Sequence, residues 1–123
     1  MSQAHHPLDL LIVGAGFGGL YMLHVARQRG LKALVIEAAD GVGGTWHHNR
    51  SPGARVDIQS LEYSFGFDDA LQQDWSWSER YAAQPELLAY ANHVADRYML
   101  RDGILLNTRL AGAAWDEAAQ CWQ

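Results

Sequence analysis

The 123-residue chain has the composition of one globular domain or part of one, because 49% of its residues are hydrophobic and 19% are charged. Its net charge of −5 and scattered basic residues argue against a nucleic-acid partner. Glycines and His24 interrupt the most apolar stretch, residues 10–26, so no membrane span is expected. The lone Cys121 and the absence of a secretory signal favour a reducing cytoplasm.

The first 36 residues predict a strand, a helix and a second strand. Residues 8–13 are a nearly continuous apolar run that ends at Gly14, which is typical of a parallel strand buried on both faces. A helical pattern follows the glycines and ends at Gly30, and residues 32–36 form the second apolar run. This alternation predicts an α/β fold with a parallel sheet.

The rest of the chain is less regular. Residues 38–83 show no sustained period, and a structureless connection of that length is expected to wrap a ligand. Pro85 marks the start of a second helix that continues to residues 101–103. Residues 104–107, residues 109–115 and a start at Cys121 resemble short strands, the last two joined as a hairpin within which the chain stops. These strands predict a β-meander that is incomplete at its C-terminal end.

A glycine motif lies between the first predicted strand and helix. Gly14, Gly16 and Gly19 form G-x-G-x-x-G, in which the glycines allow a tight turn, close approach of a pyrophosphate and close packing of helix on strand. The positive end of the helix would face the phosphates. This context predicts a Rossmann-like dinucleotide site, and the alternative is a glycine-rich turn that binds nothing.

Glu37 follows the second strand at once, where a carboxylate can accept hydrogen bonds from both ribose hydroxyls of a dinucleotide. The alternative is a solvated glutamate at a strand end. These features do not separate FAD from NAD, because both share the ADP half. Residues 43–46, Gly-Gly-Thr-Trp, resemble the second glycine pair of flavoproteins with two dinucleotide domains, and this favours FAD.

The sequence GTWHHNRSPGARVD, residues 44–57, resembles the fingerprint of Baeyer-Villiger monooxygenases. The segments DIQSLEY, WSWSERYAAQPELLAYANHVADRY and NTR are also similar to that family. Ser51 departs from it, because the family usually has an aromatic residue there. The chain is also several times shorter than family members, so residues 1–123 are expected to be the amino-terminal part of an FAD-binding domain, without the NADPH-binding domain.

The resemblance implies a set of cofactor-binding residues and one catalytic residue. The glycine loop would contact FAD through its backbone, Glu37 would hold the ribose, the second glycine segment would lie beside the pyrophosphate and flavin, and the backbone at residue 110 would lie near the adenine. The cofactor-binding residues are Gly14, Gly16, Phe17, Gly19, Glu37, Gly44, Thr45, Trp46, Asp57, Tyr63 and Leu110. Asp57 is also the catalytic candidate, since a carboxylate there would orient an arginine from a later segment beside the flavin. Its alternative role is to cap a loop.

The resemblance also implies the reaction: an FAD- and NADPH-dependent monooxygenase that uses molecular oxygen to convert a ketone to an ester or lactone. One rival is a flavin monooxygenase that oxygenates nitrogen or sulfur. Another is a non-catalytic fragment that binds FAD loosely or not at all, and the isolated chain is expected to be inactive. Nothing in the sequence indicates an oligomeric state.

The remaining polar and aromatic candidates have structural explanations. Neighbouring histidines 47 and 48 would point to opposite faces of an extended chain, and no cluster completes a metal site, so no metal is expected. Histidines 24 and 93 are expected to pack within helices, and tryptophans 75 and 77 to pack in the core. Cys121 has no nearby base and is expected to be inert.

Overall fold

The computed structural model describes residues 7–123, which form a small parallel sheet, four α-helices and a terminal hairpin. The elements in chain order are β1 (Leu10–Val13), α1 (Phe17–Gln28), β2 (Ala33–Ile36), α2 (Thr45–His48), α3 (Asp69–Asp74), α4 (Gln84–Arg97), a 3₁₀ turn (Arg101–Gly103), β3 (Ile104–Leu105), β4 (Trp115–Asp116) and β5 (Cys121–Trp122). No helix within residues 7–123 is long and apolar enough to cross a membrane.

The parallel sheet has the order β1-β2-β3. Leu10 lies opposite Ala33, and Val35 lies opposite Ile104. The predicted α/β fold with a parallel sheet is therefore confirmed. The prediction that β1 is buried on both faces is wrong within residues 7–123, because Leu11 is 44% exposed and Val13 is 61% exposed. The reason is that the described helices cover only one face of this edge strand.

The core lies between the sheet and helices α1 and α4. Its fully buried members include Leu20, Leu23, Val35, Tyr90 and Val94. The predicted packing role of tryptophans 75 and 77 is confirmed, since both pack against this cluster with their rings 5.6 Å apart. The core thus holds α1 against β1 and β2, which fixes the turn that joins them.

Both long helices end in the same hydrogen-bonded motif. In α1, Gly30 adopts φ +71° and the Leu31 N–H donates to the Ala26 carbonyl at 3.0 Å, which confirms Gly30 as the residue that ends the helix. In α4, Met99 occupies the equivalent place with φ +54°. The predicted continuation of α4 to residues 101–103 is wrong, because this left-handed residue ends the helix and a separate 3₁₀ turn follows.

Residues 38–83 are not structureless, contrary to prediction. They contain α2, α3 and an isolated antiparallel bridge between Arg55 and Ala83. The Asp68 carboxylate caps α3 by accepting a hydrogen bond from the Ala70 N–H at 2.9 Å. The Tyr98 hydroxyl of the α4 C-terminus donates to the same carboxylate at 2.6 Å. Tertiary contacts therefore order these short helices, which leave no period in the sequence.

The predicted strand over residues 109–115 is wrong except at its end. Asn107 N–H donates to the Ala39 carbonyl and Thr108 N–H to the Glu37 carbonyl, both at 2.9 Å, so the chain here follows the loop after β2. Only the predicted hairpin remains, as the antiparallel pair β4–β5. Within residues 7–123, the predicted β-meander is therefore reduced to this two-stranded hairpin.

Candidate functional site

The turn between β1 and α1 requires glycine for two different reasons. Gly14 adopts φ +103°, a conformation that residues with a side chain rarely adopt, although a Cβ there would meet nothing within 4 Å. Gly19 has an ordinary φ, but a Cβ there would lie 1.9 Å from the Gly14 carbonyl oxygen. The first glycine thus makes the turn, and the third lets α1 approach it closely.

The start of α1 presents backbone donors without partners. Gly16 is the N-cap residue and makes no side-chain cap hydrogen bond, and the first N–H to find an acceptor is that of Leu20, which donates to the Gly16 carbonyl at 3.0 Å. Within residues 7–123, the N–H groups of residues 16–19 have no acceptor. Free N–H groups at the positive end of a helix can donate to an anion such as a diphosphate.

The second glycine segment lies directly against this turn. The Gly43 N–H donates to the Ala15 carbonyl at 2.9 Å. A Cβ on Gly44 would lie 2.9 Å from the Gly16 Cα, and both Gly43 and Gly44 have positive φ. The structure therefore brings the two glycine segments into backbone contact and leaves no room for side chains between them.

Glu37 connects the end of β2 to the glycine turn. Its Oε1 accepts a hydrogen bond from the Ala15 N–H and its Oε2 accepts one from the Ala39 N–H, both at 2.8 Å. The residue is only 6% exposed, so the solvated alternative is wrong. Burial raises the pKa of this carboxyl. The hydrogen bonds from the two N–H groups lower it by more than burial raises it, so the net pKa is below the ordinary value. The carboxylate is thus charged and keeps lone pairs for further donors.

Three predicted aromatic side chains meet beside the glycine turn. Trp46 lies in α2, is 8% exposed, and donates from Nε1 to the Tyr63 hydroxyl oxygen at 3.0 Å. The Tyr63 ring lies 5.5 Å from the ring of Phe17, the first residue of α1. We call Phe17, Trp46 and Tyr63 the aromatic cluster. Thr45 opens α2 next to Gly44, so it also lies at this side of the turn.

Sequence reasoning missed Gln84. Its side chain is buried, and its Nε2 donates to the Trp46 carbonyl oxygen at 2.5 Å. Its backbone N–H donates to the Ala54 carbonyl at 2.9 Å. The available signal was a polar residue next to Pro85 at the start of the helix, but that position gives no sign of a partner 38 residues away.

Two predicted residues form no hydrogen bond with this site within residues 7–123. The Asp57 side chain is exposed, and no described group forms a hydrogen bond with its carboxylate. Leu110 is exposed in the irregular segment that follows Thr108. Their proposed roles beside the flavin and the adenine stay predictions.

The adjacent histidines lie in α2 and not in an extended chain as predicted. Their rings are 5.3 Å apart, and the His47 Nε2 lies 3.0 Å from an oxygen of Asp40. This contact joins the loop between β2 and α2 to the helix. Gly41 of the same loop also lies close to the His47 ring, since a Cβ on it would be 2.9 Å away. Residues 7–123 contain no group of three or more metal-ligating side chains.

Comparison with known proteins agrees with this geometry. The model of the NAD(P)-binding Rossmann-like domain family matches residues 12–75. Phenazine N-monooxygenase PhzNO1 of Lysobacter antibioticus is 44% identical over 115 residues, which cover 93% of this chain and 21% of that protein. The acetone monooxygenase (methyl acetate-forming) of Gordonia sp. strain TY-5 is also 44% identical, over 94% of this chain and 22% of its own length.

A solved structure gives the same result. The crystal structure of OTEMO in complex with FAD and NADP has a TM-score of 0.89 and 40% identity, and the match covers 99% of this chain and 22% of that one. The chain therefore spans about a fifth of the length of the relatives that it matches. The resemblance to Baeyer-Villiger monooxygenases is confirmed, since the Gordonia relative is named for the conversion of a ketone to an ester.

Proposed function

This chain belongs to the family of NAD(P)-binding Rossmann-like domains, and from that premise we propose that its glycine turn binds the ADP half of FAD. The observation that carries the proposal is the anion site at residues 16–19, with four free backbone N–H groups at the start of α1. The pyrophosphate would accept from these groups. The ribose hydroxyls would donate to the lone pairs that Glu37 keeps free.

The residues around the glycine turn favour FAD over NAD. The second glycine segment and the aromatic cluster extend the site beyond the ADP half, and an aromatic wall suits a large aromatic ring better than a solvated loop does. The similar OTEMO structure contains FAD together with NADP. Bound FAD would supply the redox chemistry, and this chain would bind it, orient it and exclude water from one side.

For the whole protein we infer a Baeyer-Villiger oxidation, in which NADPH and molecular oxygen convert a ketone to an ester or lactone. The acetone monooxygenase relative and the fingerprint at residues 44–57 support this reaction. Asp57 would orient an arginine beside the flavin, and the backbone at Leu110 would approach the adenine. The NADPH-binding domain would lie outside residues 1–123, and the reducing cytoplasm is the proposed location.

A second candidate reaction is oxygenation of nitrogen. The phenazine N-monooxygenase is as similar to this chain as the acetone monooxygenase, with 44% identity for each. Both reactions need FAD held in the same way, so the cofactor site does not distinguish them. Purified full-length protein with FAD and NADPH would convert a ketone to an ester on the first proposal, and a nitrogen-containing aromatic heterocycle to its N-oxide on the second.

The binding proposal is tested by titrating full-length apoprotein with FAD and following the quenching of flavin fluorescence. Glu37→Ala is expected to weaken FAD binding by about ten- to a hundredfold, because a lost hydrogen bond to a charged group costs about 1.5 to 3 kcal/mol. Glu37→Gln is expected to weaken it less, since the amide oxygen still accepts one hydrogen bond. Glu62→Ala removes an exposed carboxylate and serves as the control.

The ribose assignment fails if Glu37→Ala keeps its full yellow flavin content through long dialysis. The wider proposal fails if wild-type protein binds FAD no better than an unrelated protein does. Binding of NADH with higher affinity than FAD would instead assign the turn to a nicotinamide cofactor.

A further inference from the structure

The aromatic cluster is connected to the start of α4 by consecutive hydrogen bonds. Gln84 Nε2 donates to the Trp46 carbonyl oxygen at 2.5 Å, and Trp46 Nε1 donates to the Tyr63 hydroxyl oxygen at 3.0 Å. Trp46 and Gln84 are each only 8% exposed. Burial and two-sided bonding hold the Trp46 backbone and its indole ring in one arrangement.

The direction of these bonds determines what the Tyr63 hydroxyl can do. An indole N–H is only a donor, whereas a phenol has one hydrogen to donate and lone pairs to accept. Trp46 therefore occupies a lone pair of the Tyr63 oxygen, and the phenol hydrogen must point to another acceptor. No group within residues 7–123 accepts that hydrogen. The Tyr98 hydroxyl differs in this respect, because it donates its hydrogen to Asp68. Tyr63 is thus a half-buried donor without an acceptor.

Tyr63 is linked to both glycine segments through its aromatic neighbours. The Tyr63 ring packs on Phe17 at the start of α1, and its hydrogen-bond partner Trp46 comes two residues after Gly44, whose backbone contacts Gly16. The ring neighbours of Tyr63 are the side chains of Phe17 and Trp46, which carry no charge to compensate that of a phosphate. A polar atom on an aromatic ring fits this environment better.

We propose that Gln84 is a positioning residue for the cofactor: it holds Trp46, whose indole fixes the Tyr63 hydroxyl as a hydrogen-bond donor to a ring carbonyl or ring nitrogen of the flavin. This inference rests on the proposed binding of FAD. It predicts that the effect of Gln84 is confined to the flavin half of the cofactor and passes through Tyr63. The ADP half, held at residues 16–19 and Glu37, is independent of it.

The test compares the affinities of full-length apoprotein for FAD and for ADP. Gln84→Met keeps the length of the side chain and removes the donor, and Tyr63→Phe removes one oxygen while keeping the ring. Each is expected to weaken FAD binding about two- to tenfold and to leave ADP binding unchanged, because one hydrogen bond is lost. Gln73→Met is the control, because it changes an exposed glutamine whose side chain forms no hydrogen bond within residues 7–123.

Two further measurements separate positioning from a general effect on folding. The double variant Gln84→Met/Tyr63→Phe is expected to bind FAD no more weakly than Tyr63→Phe alone, since residues that act in series are not additive. Both single variants are also expected to shift the visible absorption bands of the bound flavin in the same direction.

The inference is overturned if Tyr63→Phe binds FAD as tightly as wild type with an unchanged spectrum. It is also overturned if Gln84→Met loses FAD and ADP affinity in equal proportion, or if the two substitutions are fully additive. Should Gln84→Met fail to fold, the Tyr63→Phe comparison still decides whether the hydroxyl contacts the flavin. If wild-type protein binds ADP but not FAD, the proposed function fails before the variants are compared.

Discussion

Substitution of Gly19 by alanine tests the closest contact in the glycine turn. The new Cβ would lie 1.9 Å from the Gly14 carbonyl oxygen and 3.0 Å from its carbon. Both are backbone atoms of a turn that is hydrogen-bonded to β2, since the Gly14 N–H donates to the Ile36 carbonyl at 2.8 Å. No side-chain rotation relieves this clash, so α1 has to move away from β1.

The expected change in the free energy of unfolding is the sum of two opposing effects. Overpacking of this kind costs about 1 to 3 kcal/mol, whereas replacing glycine by alanine inside a helix favours the helix by up to about 1 kcal/mol. Gly18→Ala is the matched control, because Gly18 lies in the same helix and a Cβ there would meet nothing within 4 Å. Gly19→Ala is expected to lower the free energy of unfolding, and Gly18→Ala to leave it unchanged or raise it.

Urea denaturation of the full-length apoprotein, followed by tryptophan fluorescence, measures both free energies. Titration with FAD then shows whether the displaced helix still presents its N–H groups, and Gly19→Ala is expected to bind FAD more weakly. Equal changes in the free energy of unfolding for the two substitutions would contradict the predicted clash, because only Gly19→Ala places a Cβ against Gly14.

Three other predictions concern positive φ and buried charge. Met99→Gly is expected to raise the free energy of unfolding by about 1 kcal/mol, since the left-handed conformation strains a residue that is 74% exposed; a loss of stability in urea would contradict this. Gly44→Ala is expected to weaken FAD binding about tenfold or more, because its Cβ would lie 2.9 Å from the Gly16 Cα. Gly53→Ala is the control, because Gly53 also has a positive φ, +81°, but a Cβ there would meet nothing within 4 Å; an equal loss in both variants would exclude the contact as the cause. Glu37 has a lowered pKa in the folded protein, so its contribution to stability is full above its ordinary pKa of 4.5 and is lost as the pH falls through the lower folded value. When the free energy of unfolding is measured against pH, Glu37→Gln is expected to lack this acid loss. The same acid loss in wild type and Glu37→Gln would contradict the prediction.

The sequence predicts the central unit because the physical signals there are local. The apolar runs of β1 and β2, the glycines between them and Gly30 at the end of α1 each act over a few residues. The resemblance of residues 43–46 to a second glycine pair predicts that this segment lies beside the pyrophosphate, whereas its backbone contact with the glycine turn is shown only by the structure.

The remainder depends on distant partners. Helices of four and six residues show no period, and α3 is fixed by the Tyr98 hydroxyl, 30 residues beyond the aspartate that it contacts. Residues 109–114 have strand-like side chains, but the backbone just before them bonds to the Glu37 and Ala39 carbonyls. The partners of Glu37 and Gln84 are also set by tertiary structure, so sequence reasoning found the first residue but not its bonds, and missed the second.

The central claim is that the start of α1 holds the pyrophosphate of FAD while Glu37 holds its ribose. A crystal structure of the full-length protein with FAD tests both contacts at once. We expect pyrophosphate oxygens within hydrogen-bond distance of N–H groups of residues 16–19, and a ribose hydroxyl donating to the Glu37 carboxylate. FAD bound elsewhere, or a nicotinamide cofactor at this turn in its place, would contradict it.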